Sequence, residues 1–164
     1  MTRRRALVFG VATAALAGCG FELQRPPALR FKTIQLTGFP PRSPLAAELK
    51  RNIDTSSTTH VVEAIKDADV VLEALTDARE KSVVATTSAN QVREFELRSR
   101  FRFVLRTASG KELIPASEIL LKRDLTYTES AALSKEQEEA FLYRSMQNDI
   151  VSQVLRRLAS VQLL

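Results

Sequence analysis

The sequence predicts an α+β fold in which two helices cover the apolar face of a mostly antiparallel sheet. Three observations lead there. Val92 to Thr107 alternates apolar and polar residues over its whole length, the mark of a strand with one buried and one wet side. Two other stretches space their apolar residues by three and four, as amphipathic helices do. Turn residues separate these pieces closely enough for one domain in the order β-α-β-β-β-α.

Taken in order, Phe31 to Thr37 alternates and forms a first strand, ended by Gly38-Phe39-Pro40-Pro41. Ser43 fits a helix N-cap with Pro44 at the first helical position, and Leu45, Leu49 and Ile53 recur every fourth residue to about Asp54. Thr59 to Ile65 is a candidate short strand, with Lys66 to Asp69 as a turn. Val70–Leu75 and Ser82–Thr87 flank the charged residues 77–81 and make one long or interrupted strand, which Ser88-Ala89-Asn90 turns. In the long strand that follows, Phe95, Leu97, Ser99, Phe101, Phe103 and Leu105 share a face. Gly110 supplies the positive φ of the next hairpin. The return strand lies within Glu112 to Thr128, with Ile119, Leu121, Leu125 and Tyr127 on one side and Arg123 interrupting. Ser134 and Gln137 match a capping box, and the helix after it runs to about Ser160 with Tyr143, Met146, Ile150, Val154 and Leu158 on one side.

The N-terminus is organised differently. Arg3, Arg4 and Arg5 precede an uncharged, mostly apolar stretch from Ala6 to Leu16, which has signal-peptide length and is too short to span a bilayer. Leu16-Ala17-Gly18-Cys19 then resembles the lipobox of bacterial lipoproteins, in which a diacylglycerol is joined to the thiol, the leader is cut away, and the new amine is acylated. Cys19 is the only cysteine of the 164 residues, which this role accounts for. The expected division is a signal peptide at 1–18, a lipidated tether at 19–30 containing Pro26 and Pro27, and a folded domain at 31–164. Without the leader's three arginines, 21 basic side chains face 19 acidic ones, so the formal charge falls from +5 to +2. That near balance argues against non-specific nucleic-acid binding.

No catalytic constellation assembles. The single histidine, His60, stands by a run of threonines with no second metal ligand near it in sequence, and there is no glycine-rich phosphate loop or nucleophile elbow. The sequence is therefore read as a non-enzyme without a metal or soluble cofactor. Its most distinctive charged feature is the polar side of the long strand, where Arg98, Arg100, Arg102 and Arg106 stand with same-face neighbours about 7 Å apart. Like charges at that spacing call for carboxylates such as Glu73 or Asp124, for an anionic ligand, or for a wet cavity.

Across nearly its whole length the chain resembles the LPS-assembly lipoprotein (LptE) family. The resemblance rests on Cys19-Gly20-Phe21-Glu22-Leu23, on Val92-Arg93-Glu94-Phe95-Glu96-Leu97, and on Arg123-Asp124-Leu125-Thr126-Tyr127. Met146-Gln147-Asn148-Asp149 and Gln153-Val154-Leu155-Arg156-Arg157-Leu158 complete it. It implies a four-stranded mixed sheet carrying two helices. It also implies an outer-membrane lipoprotein on the periplasmic side, acylated on amine and thiol of Cys19, that plugs and helps assemble the LptD β-barrel and binds lipopolysaccharide. Gly20, rather than aspartate, after the cysteine fits that sorting. Of the family's basic ligand positions, Lys135 matches and the other falls at Ser88, with Arg93 close by. The expected lipopolysaccharide contacts are Arg93 and Lys135, joined by Arg98 and Arg100. The alternative is a periplasm-facing lipoprotein that binds another envelope protein or a small ligand, with no barrel involved.

Overall fold

A computed structural model describes residues 28–161. Strand β1 (Thr33–Thr37) is followed by helix α1 (Pro44–Asp54) and the short strand β2 (His60–Val62). The long strands β3 (Val70–Thr86), β4 (Val92–Thr107) and β5 (Glu112–Thr126) come next, and helix α2 (Ala132–Ala159) closes the chain. The sheet has five strands in the order β2-β1-β3-β4-β5. β1 runs parallel to both of its neighbours, whereas β3, β4 and β5 form an antiparallel meander. Parallel neighbours need a crossover between them, and α1 supplies the one from β1 to β2.

The α+β class and the two helices are as expected, but the sheet has five strands rather than four. The added strand is the candidate at Thr59–Ile65, shortened to three residues paired with Thr33, Ile34 and Gln35. So short a run carries almost no periodicity of its own, and its pairing to β1 defines it. The charged residues 77–81 do not interrupt β3. They stay paired to β4 beyond a bulge at Leu75, where the register shifts between Ala74 and Thr76.

The capping box at Ser134 does not form. A 3₁₀ turn at Glu129–Ala131 leads straight into α2, Ala131 stands at the cap, and Ser134 Oγ donates to the Ala131 carbonyl at 2.8 Å. The helix thus starts two residues before the expected cap. At α1 the cap is as expected: Ser43 Oγ accepts from the Ala46 amide at 3.1 Å and donates to Asp77 at 2.6 Å, which ties the helix start to β3.

Both helices pack on the face of β4 that carries Leu97, Phe101, Phe103 and Leu105. Leu49 and Ile53 of α1, with Ile150, Val154 and Leu158 of α2, complete the main core. A smaller cluster of Leu97, Leu125, Tyr143 and Met146 continues it towards the start of α2. Leu29, at the end of the expected tether, is buried in the main core beside Phe31. Gln147 is buried with both polar atoms partnered: its amide nitrogen donates to the Pro44 carbonyl at 3.1 Å, and its oxygen accepts from Arg79 at 2.6 Å. Gly38 is required where it stands. Its φ is +77°, and a Cβ there would lie 2.4 Å from the carbonyl oxygen of Ala74.

Asp69 joins the start of β1 to the start of β3. Its carboxylate accepts from the backbone amides of Lys32 at 2.8 Å and Thr33 at 3.0 Å, and its own amide donates to Thr33 Oγ1 at 2.9 Å. The hydrogen bond from the Lys32 amide is the main reason that its pKa lies below the ordinary carboxylate value. A depressed folded-state pKa contributes stability above the unfolded value, and that contribution fades as pH falls through the folded one. Asp69→Asn is therefore expected to lower the urea midpoint near neutrality and to converge on the parent in acid. Midpoints measured from about pH 7 to about pH 3 check this, and parallel curves would contradict it.

Candidate functional site

The end of β3, the start of β4, the end of β5 and the start of α2 meet at one tip of the molecule. The β3–β4 turn is held by the Thr87 amide donating to the Gln91 carbonyl at 2.8 Å, with Asn90 at φ 60°, a conformation that asparagine tolerates. Arg93 and Lys135 both belong to this tip. The Tyr127 amide donates to the Arg93 carbonyl at 2.8 Å, and Lys135 Nζ donates to Oγ1 of Thr126, the preceding residue, at 3.2 Å. Lys135 also pairs with Glu138 at 2.7 Å. The Arg93 side chain is exposed and has no ion-pair partner among the described residues. Ser88, in the turn beside them, is exposed and uncharged.

Between β3, β4, β5 and α2 the tip holds a cleft of about 140 Å³, lined by Lys81, Phe95, Tyr127, Lys135, Glu136 and Glu139 among others. Lys81 Nζ lies 4.2 Å from the centroid of the Phe95 ring and pairs with Glu139 at 2.6 Å. Phe95 and Tyr127 meet edge to face at 5.4 Å. Val83, Val84 and Leu133 are exposed at the same end, Leu133 at 80%. Drug-sized ligands occupy pockets of roughly 300–1,000 Å³. A cleft this small suits the edge of a headgroup and does not swallow an acyl chain. The tip therefore offers cations beside exposed apolar surface, as an amphipathic anion requires.

Sequence reasoning missed Lys81, Phe95 and Tyr127 as neighbours of Lys135. β3–β4 register sets Lys81 opposite Leu97 and Val83 opposite Phe95, and no local pattern in either strand announces that pairing.

Arg98 and Arg100 lie elsewhere, on the sheet's outer face, away from the helices. Arg98 is paired with Glu96 and lies 4.0 Å from Glu80. Lys122 reaches Glu96 at 3.3 Å, and Arg106 reaches Glu73 at 2.5 Å, the partner expected for the row. Hydrogen bonding from Arg98, then from Lys122, holds the Glu96 carboxyl below its ordinary pKa. Asp124, the other expected partner, makes no ion pair among the described residues. Arg100 and Arg102 likewise have none, and Arg100 Nε is buried without a hydrogen-bond acceptor.

His60 is exposed at the start of β2. Among the described residues no three His, Cys, Asp or Glu side chains are grouped to hold a metal ion. No helix there is long and apolar enough to cross a membrane. Cys19 lies outside the described residues.

Comparison with known proteins gives a consistent picture. Residues 31–158 match the family described as LptE, lipopolysaccharide-assembly. An LPS-assembly lipoprotein LptE from Pectobacterium atrosepticum is 23% identical over 158 residues, covering 94% of this chain and 84% of that protein. The solution structure of lipoprotein B from Nitrosomonas europaea superposes with a TM-score of 0.73 at 31% identity, over 86% of this chain and 91% of that one. The crystal structure of rare lipoprotein B from Shewanella oneidensis, at 22% identity and a TM-score of 0.65, covers 79% of this chain and 95% of its own, and supports the fold.

Proposed function

The chain belongs to the LptE family of lipopolysaccharide-assembly proteins, and from that premise we propose that it plugs and helps assemble the LptD β-barrel and binds lipopolysaccharide for delivery to the cell surface. It does so as an outer-membrane lipoprotein on the periplasmic side, anchored through lipid on Cys19, with residues 1–18 as the leader and the domain after residue 30 as the plug. The role is non-enzymatic and uses no cofactor.

The observation that carries this reading is the tip. Arg93, through its carbonyl, and Lys135, far apart in sequence, bond to the adjacent residues Tyr127 and Thr126 at the end of β5, at a tip with aromatic and exposed apolar groups. Lipid A joins phosphates to acyl chains. Arginine grips a phosphate with two parallel hydrogen bonds, and lysine adds a point charge. The polar outer face of the sheet also suits the wet lumen of a large barrel.

Arg93→Glu combined with Lys135→Glu tests the ligand assignment. Hydrogen bonds to charged groups are worth about 1.5–3 kcal/mol, so losing even one lowers affinity at least roughly tenfold. The double variant is expected to bind lipopolysaccharide at least that much more weakly and with a shallower salt dependence. Unchanged binding at low ionic strength would remove both residues from the account. Co-purification of a large β-barrel after mild detergent extraction separates the plug from the barrel-free alternative.

A further inference from the structure

We propose that the outer face of the sheet is a protein-docking face, on which Arg100 and Arg102 receive carboxylate side chains from the wall of the β-barrel partner. The proposal rests on the plug reading above and assigns a surface to it.

The face is unlayered among the described residues, because both helices pack on the other side. Its charges are nearly solved within the chain. Glu73 answers Arg106, and Glu96 answers both Arg98 and Lys122. Among the described residues Arg100 and Arg102 remain without an ion pair, as do the carboxylates Glu118 and Asp124. Register sets Arg100 between Ala78 and Leu120, which offer it no acceptor, and Arg102 between Thr76 and Glu118. Glu118 does not come within ion-pair distance of Arg102, and Arg100 Nε stays buried without an acceptor. Arg100 is half-buried and Arg102 exposed, so a carboxylate brought from outside would meet guanidinium charge that none of the described residues answers.

Charge on the face selects the kind of partner. Glu80, Glu96, Glu118 and Asp124 share it with the arginines, so a lipid carrying several phosphates would meet as many carboxylates as cations. A folded protein surface can place single acidic groups over Arg100 and Arg102 while avoiding those glutamates. Exposed Leu120, beside Arg100, adds apolar contact of the kind protein interfaces use with arginine. At the tip Lys81 and Lys135 are likewise answered by Glu139 and Glu138, and what sets it apart is exposed Arg93, without an ion pair among the described residues, together with the exposed apolar Val83, Val84 and Leu133.

The test compares two variants of the full-length protein expressed with its barrel: Arg100→Glu/Arg102→Glu on the face and Arg93→Glu/Lys135→Glu at the tip. Mild detergent extraction reads barrel recovered at equal load, and a lipopolysaccharide binding assay reads the ligand. The face variant is expected to lose at least about tenfold of the recovered barrel while binding lipopolysaccharide as the parent does. Arg100→Gln/Arg102→Gln, with unfolding midpoints for all proteins, guards against a folding defect and should lose barrel as well. Parental barrel recovery in both face variants overturns the proposal, and so does a loss of lipopolysaccharide binding with the barrel retained. If even the parent recovers no barrel, the plug reading itself fails and takes the proposal with it.

Discussion

Phe101→Ala is expected to cost about 3–5 kcal/mol, the range for emptying a large aromatic from a packed core. Phe101 is fully buried in the middle of β4. Its ring stacks on Phe103 at 5.3 Å and on Phe39 at 5.7 Å, so it joins the strand to the loop between β1 and α1. Loss of the ring removes both contacts and leaves a cavity between elements that cannot close it without moving β4. Since domains are stable by only about 5–15 kcal/mol, this one change consumes a large share. Urea unfolding monitored by circular dichroism would read it. Phe141→Ala is the control, because that side chain is 63% exposed and should change stability by less than about 0.5 kcal/mol. A loss under about 1 kcal/mol for Phe101→Ala would mean that the stack carries little of the core.

The same residue shows what was legible beforehand. β4 could be read because one side is buried and the other wet, so its alternation is written into the sequence: Leu97, Ser99, Phe101, Phe103 and Leu105 are all buried. The core-facing residues of α2 were legible for the same reason. β2 was not counted, since three residues acquire their meaning only from pairing with β1. The α2 start was misplaced because the chain enters through a 3₁₀ turn, which supplies the cap position that Ser134 would have filled.

The candidate site divides in the same way. Arg93 and Lys135 were named from resemblance, but their nearness depends on β4–β5 register and on where α2 begins, both non-local. The arginine row was legible as a row. Which members it satisfies internally was only partly so: Glu96 stands two residues from Arg98 on the same strand, whereas Arg106 depends on Glu73, whose position follows from strand pairing. Arg98 and Arg100, expected to join Arg93 and Lys135 as lipopolysaccharide contacts, stand on the outer face of the sheet, away from the tip.

Removal of the thiol at residue 19 is expected to have the largest effect on where the protein resides. Cys19→Ala leaves no atom to carry a diacylglycerol. Each buried methylene contributes about 0.8 kcal/mol, a single acyl chain holds a protein only marginally, and two or more make retention stable. The variant should pass from membrane-bound to soluble, without an intermediate affinity, in cells depleted of the barrel. Depletion matters because protein contacts could hold an unlipidated plug on the membrane. With the barrel present, partial retention is expected, and its extent measures how much of the anchoring those contacts supply. Intact mass of the parent from native membranes should show a chain beginning at residue 19 with an acylated amine and a thioether-linked glyceride. An uncleaved leader or a free thiol in that mass would overturn the lipid anchor and, with it, the assignment to the outer membrane. The folded domain would still stand, because its core is built from residues after the tether except for Leu29, the one tether residue among those described that enters it.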